Sequence, residues 1–199
     1  MVLGVPRSGT SLVARILHVL GVNMGKEFVS LPPGWQPDPG HAWSDAEMRE
    51  VHDVLIGANP FRRGMKVEEQ HLERYRQVVG SRSGMWGVKC DLLPFVWDHF
   101  AAAVEGEVRM IRTTRCPDAS IKSYAARMGW DYSQARNNLE PWFDAVSEVF
   151  GEFQGPKHEV AFSRLVDDPE QEVGRLAEFA GVPLKPEAVA AVKPEWKRF

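Results

Sequence analysis

The stretch VLGVPRSGTSLVARIL, residues 2–17, decides how this chain is expected to fold. An apolar strand passes through a glycine-bounded turn into an amphipathic helix, which is the plan of a phosphate-binding loop. Gly4 and Gly9 have the spacing of the loop G-x-x-x-x-G-K-[ST] of nucleotide triphosphatases, but Thr10 stands where that loop has its lysine. Arg7 is the only cation within the turn. The stretch therefore predicts an anion site without the lysine that serves a triphosphate.

The chemistry of this turn suits an anion smaller than a triphosphate. Backbone N–H groups at a helix N-terminus are unpaired, and the helix dipole favours a negative charge there. Arg7 adds a cation with bidentate geometry, while Ser8, Thr10 and Ser11 add hydroxyl donors. A diphosphate-like group fits this set better than a triphosphate with Mg²⁺. The alternative interpretation is a plain strand–helix turn with an arginine on the surface.

Strands and helices alternate along the rest of the chain. We predict strands over 2–5, 85–90, 107–113 and 158–165. We predict helices over 12–20, 44–57, 67–79, 94–104, 116–129, 134–153 and 167–181. This alternation is typical of an α/β fold, here a three-layer fold of the P-loop type with a mostly parallel central sheet flanked by helices. We expect a single domain over 1–199, in which the Pro/Gly-rich loop 24–44 lies over the active site.

Composition argues against several classes of function. A net charge of -3 speaks against a nucleic-acid partner, which normally requires a basic surface. No apolar run reaches the roughly 18 residues of a membrane span, and the first strand begins too early for a signal peptide. Cys90 and Cys116 form neither a metal pattern nor a disulfide framework. We therefore expect a soluble, cytoplasmic protein with no metal.

A second motif, RTTRCPDASIKSY over 112–124, can supply another anion site. Arg115 ends the third predicted strand, and Ser123 follows eight residues later on the next helix. Ligands of open α/β sheets bind outside the carboxyl ends of the strands. Arg115 is therefore expected at the same edge of the sheet as Arg7, the rim formed by the carboxyl ends of the strands. One arginine and one hydroxyl can hold a second phosphate. The alternative is a solvated strand end and a residue on the helix surface.

The two motifs together resemble those of the sulfotransferases that use 3′-phosphoadenosine 5′-phosphosulfate (PAPS). The resemblance continues in GHAWSDAEMREVHDVLIG, which is similar to the acceptor-side helix of bacterial members. MWGVKCDLLPFVW is similar to their lysine-bearing strand, and EVAFSRLVDDPEQEVGRLAEFAGVP to their closing strand and helix. Coverage is nearly the whole chain, although the family's glycine- and lysine-rich C-terminal loop is not evident here.

The resemblance implies a role for each motif. A loop of this kind binds the 5′-phosphosulfate, here through Pro6, Arg7, Ser8, Gly9, Thr10 and Ser11. Arg115 and Ser123 would bind the 3′-phosphate. Lys89, at the end of the second predicted strand, would cover the bridging oxygen, and Arg7 would hold the 5′-phosphate as charge builds on it. Because PAPS carries no triphosphate, neither a γ-phosphate lysine nor a metal is required.

The acceptor side is less defined by the sequence. An acceptor hydroxyl needs a base, for which the family uses histidine or a carboxylate. Asp45 ranks first, then Asp91, then His41, although each is also a candidate for a cap or an ion pair. The implied acceptor is a small molecule or carbohydrate with a hydroxyl or an amine. A P-loop nucleotide kinase or triphosphatase and a catalytically inactive nucleotide-binding relative are the alternatives, and the oligomeric state is open.

Overall fold

The computed structural model describes residues 1–30, 41–56 and 68–193. Its strands are β1 (Val2–Leu3), β2 (Phe28–Ser30), β3 (His41–Asp45), β4 (Met110–Thr114) and β5 (Lys157–Ala161). Its helices are α1 (Thr10–Leu20), α2 (Ala46–Ile56), α3 (Glu69–Gly80), α4 (Trp97–Ala103), α5 (Pro117–Met128), α6 (Tyr132–Glu152), α7 (Phe162–Asp167), α8 (Pro169–Ala180) and α9 (Pro186–Ala190). A 3₁₀ turn, Leu93–Val96, leads directly into α4.

A parallel sheet forms the centre of the molecule. β4 lies between β1 and β5 and pairs with both in parallel. On the other side of β1, the extended segment 86–89 joins the sheet through an isolated bridge between Val2 and Lys89. A second parallel bridge, between Asn23 and Trp86, continues the sheet outward. The predicted strand over 85–90 is therefore present only as bridges, since β1 is two residues long and cannot support a longer ladder.

Helices cover both faces of this sheet. Side chains alternate between the faces of a strand, so Leu3 and Met110 belong to one hydrophobic cluster and Val2, Ile111 and Val160 to the other. The first cluster takes most of its remaining residues from α2 to α6 and the 3₁₀ turn, and the second takes most of them from α1, α7, α8 and α9. The predicted α/β architecture, a parallel sheet flanked by helices, is confirmed.

Polar caps begin two of the long helices. The Asp131 carboxylate accepts from Gln134 N at 2.9 Å, and the Gln134 side chain accepts from Asp131 N at 3.1 Å, which completes a capping box. The cap starts α6 at Tyr132, two residues before the predicted start. The Asp168 carboxylate caps α8 by accepting from Gln171 N at 3.1 Å. None of the helices in the described ranges is long and apolar enough to cross a bilayer.

The strand predicted over 158–165 is correct only in its first half. β5 ends at Ala161, which lies opposite Thr114 at the end of β4. Beyond this point the chain has no strand to pair with, and α7 begins at the next residue. Leu165 and Val166 are then buried by the helix rather than by the sheet.

Two further differences concern short elements. Segment 24–44, predicted as a loop, contains the antiparallel strands β2 and β3 at its two ends. Residues 31–40 lie outside the described residues, so the position of this segment over the active site stays a prediction. Helix α9 has no counterpart among the sequence predictions, because five residues are too few to show a helical period.

Candidate active site

The loop between β1 and α1 is packed so closely that its two glycines cannot carry side chains. A Cβ at Gly4 would lie 2.2 Å from Thr113 Oγ1 and 2.5 Å from Ser8 Oγ. Gly9 has a φ of 102°, in the left-handed region, and a Cβ there would lie 2.6 Å from the Phe162 ring. The glycine spacing of the motif therefore reflects a close approach of the loop to β4 and α7.

Two of the three hydroxyl residues of the loop are buried. Ser8 is 2% exposed, and its hydroxyl shares a hydrogen bond of 2.7 Å with Thr113 of β4. Thr113 donates in turn to the Leu3 carbonyl at 3.3 Å. Thr10 is also buried, whereas Ser11 is partly exposed. The Ser8 hydroxyl therefore ties the loop to the sheet, and anion binding by Ser8, Thr10 and Ser11 stays a prediction.

The structure brings the two sequence motifs together at the carboxyl ends of the strands. Arg7 Nε donates to Ser123 Oγ at 3.0 Å, across 116 residues of chain. Arg115 Nη1 donates to the Arg7 carbonyl at 3.1 Å, and the Arg115 guanidinium lies 4.8 Å from the centroid of the Phe162 ring. Arg7 itself has a φ of 72°, which is uncommon for a residue other than glycine. Contacts from β4 and α5 therefore hold the loop in its shape.

The arginines at this rim are close enough to disfavour one another's charge. Burial lowers the pKa of Arg7, and the positive charges of Arg127 and Arg115 lower it further, while Asp91 opposes them. Burial also lowers the pKa of Arg115. Crowded cations gain more from a bound anion than isolated ones, because the anion removes their mutual repulsion as well as pairing with each. The rim is thus suited to a ligand with several negative charges.

Lys89 and Asp91 form an ion pair at the end of the extended segment 86–89. The distance from Lys89 Nζ to Asp91 Oδ1 is 2.8 Å, and the two side chains are 2% and 32% exposed. Burial alone would raise the pKa of Asp91, but the charge and hydrogen bond of Lys89 and the charges of Arg49 and Arg127 lower it. Asp91 is therefore ionised at neutral pH and partly open to solvent.

Asp45, another predicted candidate for the base, has structural contacts. Its Oδ1 accepts from Met48 N at 3.0 Å, which caps α2, and lies 2.9 Å from Arg82 Nη2. The residue is 5% exposed, and a Cβ at Gly25 would lie 2.1 Å from its Oδ2. The side chain of His41, at the start of β3, lies outside the described residues. The roles of Asp45 and His41 as bases stay predictions.

Comparison with known families identifies the family of this chain. The model of the sulfotransferase family matches residues 1–186, which include both motifs and the Lys89–Asp91 pair. The chain belongs to the sulfotransferase family. Family membership supports sulfuryl transfer in general. The matching family is not one of nucleotide kinases or triphosphatases, which were the alternative from the sequence.

Solved sulfotransferase structures share the fold. The sulfotransferase domain from the curacin biosynthetic pathway superposes with a TM-score of 0.59 at 17% identity, covering 96% of this chain and 76% of that one. The sulfotransferase domain from the Synechococcus PCC 7002 olefin synthase gives 0.54 at 17% identity, covering 94% and 74%. Sulfotransferase STF1 from Mycobacterium tuberculosis gives 0.55 at 15% identity, covering 96% and 69%. The P-loop-type α/β fold predicted from the sequence is therefore the sulfotransferase fold.

One relative has a different name. The chain is 30% identical over 160 residues to a protein of Methylobacterium radiotolerans called biotin synthase, a match that covers 75% of this chain and 46% of that protein. The chain thus spans less than half the length of that relative.

The two cysteines of the chain are both free of disulfide bonds. Cys90 is buried, and burial raises the pKa of its thiol to about 11. Among the described residues, no group of three or more His, Cys, Asp or Glu side chains could hold a metal ion.

Two residues near Arg7 and Arg115 are absent from the sequence predictions. Arg127 lies four residues after Ser123 on α5, and this helical spacing places both on one face of the helix. Phe162 follows β5, but the prediction of a continuous strand there concealed its position at the rim. The i, i+4 relation to Ser123 is the signal that could have identified Arg127.

Proposed function

We propose that this sulfotransferase transfers the sulfuryl group of PAPS by in-line displacement to a hydroxyl or an amine of a small-molecule or carbohydrate acceptor. The observation that carries the proposal is the junction of the two motifs. Arg7 contacts Ser123 through its guanidinium and Arg115 through its carbonyl, and its charge interacts with that of Asp91 in the Lys89–Asp91 pair. Two arginines, a serine hydroxyl and a lysine–carboxylate pair therefore lie at one rim, which supports the proposal.

The described residues fit a donor with two separate anionic ends. The loop from Pro6 to Ser11, with the N-terminus of α1 behind it, would hold the 5′-phosphosulfate. Arg115 and Ser123 would hold the 3′-phosphate, since each lies within hydrogen-bonding distance of Arg7 and none of these contacts uses all the donors of an arginine. Repulsion between the charges of Arg7 and Arg115 would be relieved by this ligand.

Lys89 would act on the leaving oxygen. Bound PAPS supplies a sulfuryl group whose bond to the bridging oxygen breaks as its bond to the acceptor forms. Negative charge then grows on the 5′-phosphate, and the Lys89 ammonium can donate to it from a buried position where a charge interaction is strong. Arg7 would add a second positive charge on the same side. Binding energy realised mainly in the transition state raises turnover more than affinity.

Asp91 is the base that the geometry supports best. Its side chain is 32% exposed, so an acceptor can reach it, whereas Asp45 is buried and already caps α2. The Asp91 carboxylate is ionised at neutral pH, which a general base requires, although the positive charges that lower its pKa also make it a weaker base than an unpaired carboxylate. Asp91 and Lys89 are adjacent, which lets one accept the proton while the other stabilises the departing oxygen.

The substitution Lys89→Met tests this assignment while keeping an unbranched apolar chain in the buried position. We expect turnover to fall by about two to three powers of ten, the loss typical of one transition-state donor. The affinity for the product nucleotide, 3′-phosphoadenosine 5′-phosphate, should change much less. Turnover would be followed by transfer of labelled sulfuryl from PAPS, and affinity by calorimetry.

Lys122→Met is the matched control, because Lys122 is exposed on α5 and pairs with Asp118. It should retain wild-type turnover. Wild-type turnover in Lys89→Met would remove Lys89 from the mechanism. A wild-type chain that binds the nucleotide but transfers no sulfuryl group to any acceptor would instead identify an inactive relative.

A further inference from the structure

Asp91 lies where the pairing of the sheet has ended. The last bridge of segment 86–89 joins Lys89 to Val2, and the 3₁₀ turn Leu93–Val96 begins two residues after Asp91. Asp91 is 32% exposed, and its contact with Lys89 Nζ holds the carboxylate but not the backbone that carries it. The direction in which Asp91 points therefore depends on contacts from outside the sheet.

Trp142 of α6 supplies such a contact. Its indole Nε1 donates to the Asp91 carbonyl at 2.9 Å, across 51 residues of chain. Trp142 is buried and meets the Phe95 ring edge to face, with 5.4 Å between the ring centroids and 81° between the ring planes. Phe95 belongs to the 3₁₀ turn that follows Asp91. The indole thus packs against this turn and donates to the chain that leads into it.

The same face of α6 is also linked to the loop after β1. Asn138 lies one turn before Trp142, and residues four apart on a helix are neighbours on its surface. Asn138 Oδ1 accepts from the Tyr124 hydroxyl of α5 at 3.0 Å. Tyr124 follows Ser123, whose hydroxyl accepts from Arg7 Nε at 3.0 Å. Helix α6 therefore connects the backbone of the proposed base to the loop that would hold the 5′-phosphosulfate.

We propose that Trp142 is a positioning residue for sulfuryl transfer: its indole N–H fixes Asp91, and so the acceptor oxygen that Asp91 deprotonates, in line with the sulfuryl group. This inference rests on the proposed function, in which Asp91 takes the proton of the acceptor. In-line displacement requires the acceptor oxygen, the sulfur and the leaving oxygen to be aligned, and a misplacement of about 1 Å can cost about a hundredfold in rate. Trp142 would touch neither substrate and would act only through Asp91.

Two substitutions at Trp142 separate the N–H from the packing of the ring. Trp142→His keeps a five-membered ring with an N–H at nearly the position of the indole N–H, whereas Trp142→Phe keeps a larger apolar ring without a donor. We expect Trp142→Phe to lower kcat by about tenfold to a hundredfold and Trp142→His by less than about fivefold, although histidine fills the buried position less well. The KM for PAPS and the affinity for 3′-phosphoadenosine 5′-phosphate should change by less than about threefold in both.

Tyr75→Phe is the matched control. Tyr75 is a buried aromatic residue of the same hydrophobic cluster, and its hydroxyl shares a hydrogen bond of 3.0 Å with His52 Nε2. This variant loses one buried hydrogen bond, as Trp142→Phe does, but the partner is His52 rather than Asp91. It should retain the wild-type kcat. Turnover would be measured with labelled PAPS and the acceptors benzyl alcohol, 4-nitrophenol and glucosamine, at about pH 8, where the ordinary histidine side chain is neutral.

The other outcomes are each decisive. Wild-type kcat in Trp142→Phe overturns the inference, as does a loss in Trp142→His equal to or larger than that in Trp142→Phe, since that order follows the packing of the ring. A Trp142→Phe chain that does not fold, or that loses as much nucleotide affinity as turnover, makes the residue structural and also overturns it.

Failure of the proposed function gives different results. Wild-type turnover in Asp91→Asn contradicts the proposed base, and the inference falls with it. A wild-type chain that does not bind 3′-phosphoadenosine 5′-phosphate, or that sulfates none of the three acceptors, contradicts the proposed function itself. Loss of turnover in Asp91→Asn together with wild-type turnover in Trp142→Phe overturns the inference alone.

Discussion

At the scale of single residues, His52 shows what burial does to a titratable group. Its side chain is fully buried on α2, and its Nε2 shares a hydrogen bond of 3.0 Å with the Tyr75 hydroxyl. Nδ1 has no hydrogen-bond partner among the described residues. Burial, aided by the charge of Arg49, lowers the pKa of His52 to about 3. Between about pH 3 and 6.5 the His52 imidazole is therefore neutral in the folded protein and protonated in the unfolded chain.

We predict that this difference makes folding sensitive to acid. Below the ordinary histidine pKa of about 6.5, the unfolded chain binds a proton that the folded chain refuses. The free energy of unfolding should therefore fall as the pH drops from about 6.5 towards 3, by at most about 1.4 kcal/mol per pH unit from this residue. In His52→Gln, denaturant unfolding at several pH values should show a shallower fall. His71→Gln is the control, since the His71 side chain is 39% exposed, and an unchanged slope in His52→Gln would contradict the prediction.

Single residues also mark the limit of sequence reasoning about the site. Arg7, Arg115 and Ser123 were predictable because each belongs to a motif with fixed spacing. The position of Arg127 was not predictable, because it depends on which face of α5 meets the loop, and the Arg7–Ser123 bond decides that. Asp45 was ranked as a base on its place in the sequence, but its buried contacts with α2 and Arg82 are set by tertiary packing.

At the scale of elements, Asp45 fixes the start of α2. It caps α2 through Met48 N, and Arg82 joins it to Glu47 by ion pairs of 2.9 Å to each. We predict that Asp45→Ala lowers the free energy of unfolding by about 2–4 kcal/mol, because α2 loses its cap and the largely buried Arg82 side chain keeps only Glu47 of its two carboxylate partners. Asp45→Asn should keep most of the cap, because Asn is also a preferred cap residue.

Turnover separates this positioning role from a catalytic one. Asp45→Asn should retain turnover within a few-fold of wild type if the residue only positions α2. Glu50→Ala, an exposed site on the same helix, is the control for stability and should behave as wild type. A stable Asp45→Asn protein without measurable turnover would identify Asp45 as the base and displace Asp91.

The long elements were predictable, and the short ones were not. Helices α1, α5 and α8 follow their predicted spans because a periodic apolar face and a terminal glycine coincide in each. The strand over 85–90 and the second half of 158–165 failed for one reason. Whether an apolar stretch forms a strand depends on the length of its neighbour, and β1 and β4 are too short to pair with either stretch in full.

At the scale of the whole molecule, the candidate site exists because the strands are parallel. The loop after β1, the Lys89–Asp91 pair, Arg115 after β4 and Phe162 after β5 all follow carboxyl ends, which a parallel sheet places on one edge. The contact between Arg7 and Arg115 spans 108 residues of chain, and only the order of the sheet brings the two together. The same order places Asp91 and Arg115 on opposite sides of the loop after β1.

The most direct test of this account is calorimetry with 3′-phosphoadenosine 5′-phosphate and adenosine 5′-phosphate, both in the presence of a metal chelator. The two ligands differ only in the 3′-phosphate, which Arg115 and Ser123 are proposed to bind. A charge-assisted contact contributes roughly 1.5–3 kcal/mol, so the account predicts that the 3′-phosphate tightens binding by about tenfold to a hundredfold. Arg115→Ala should remove most of that difference, while Arg136→Ala should preserve it. Equal affinity of the wild-type chain for the two nucleotides, or no binding without a metal, would contradict the central claim that the two motifs form one PAPS site.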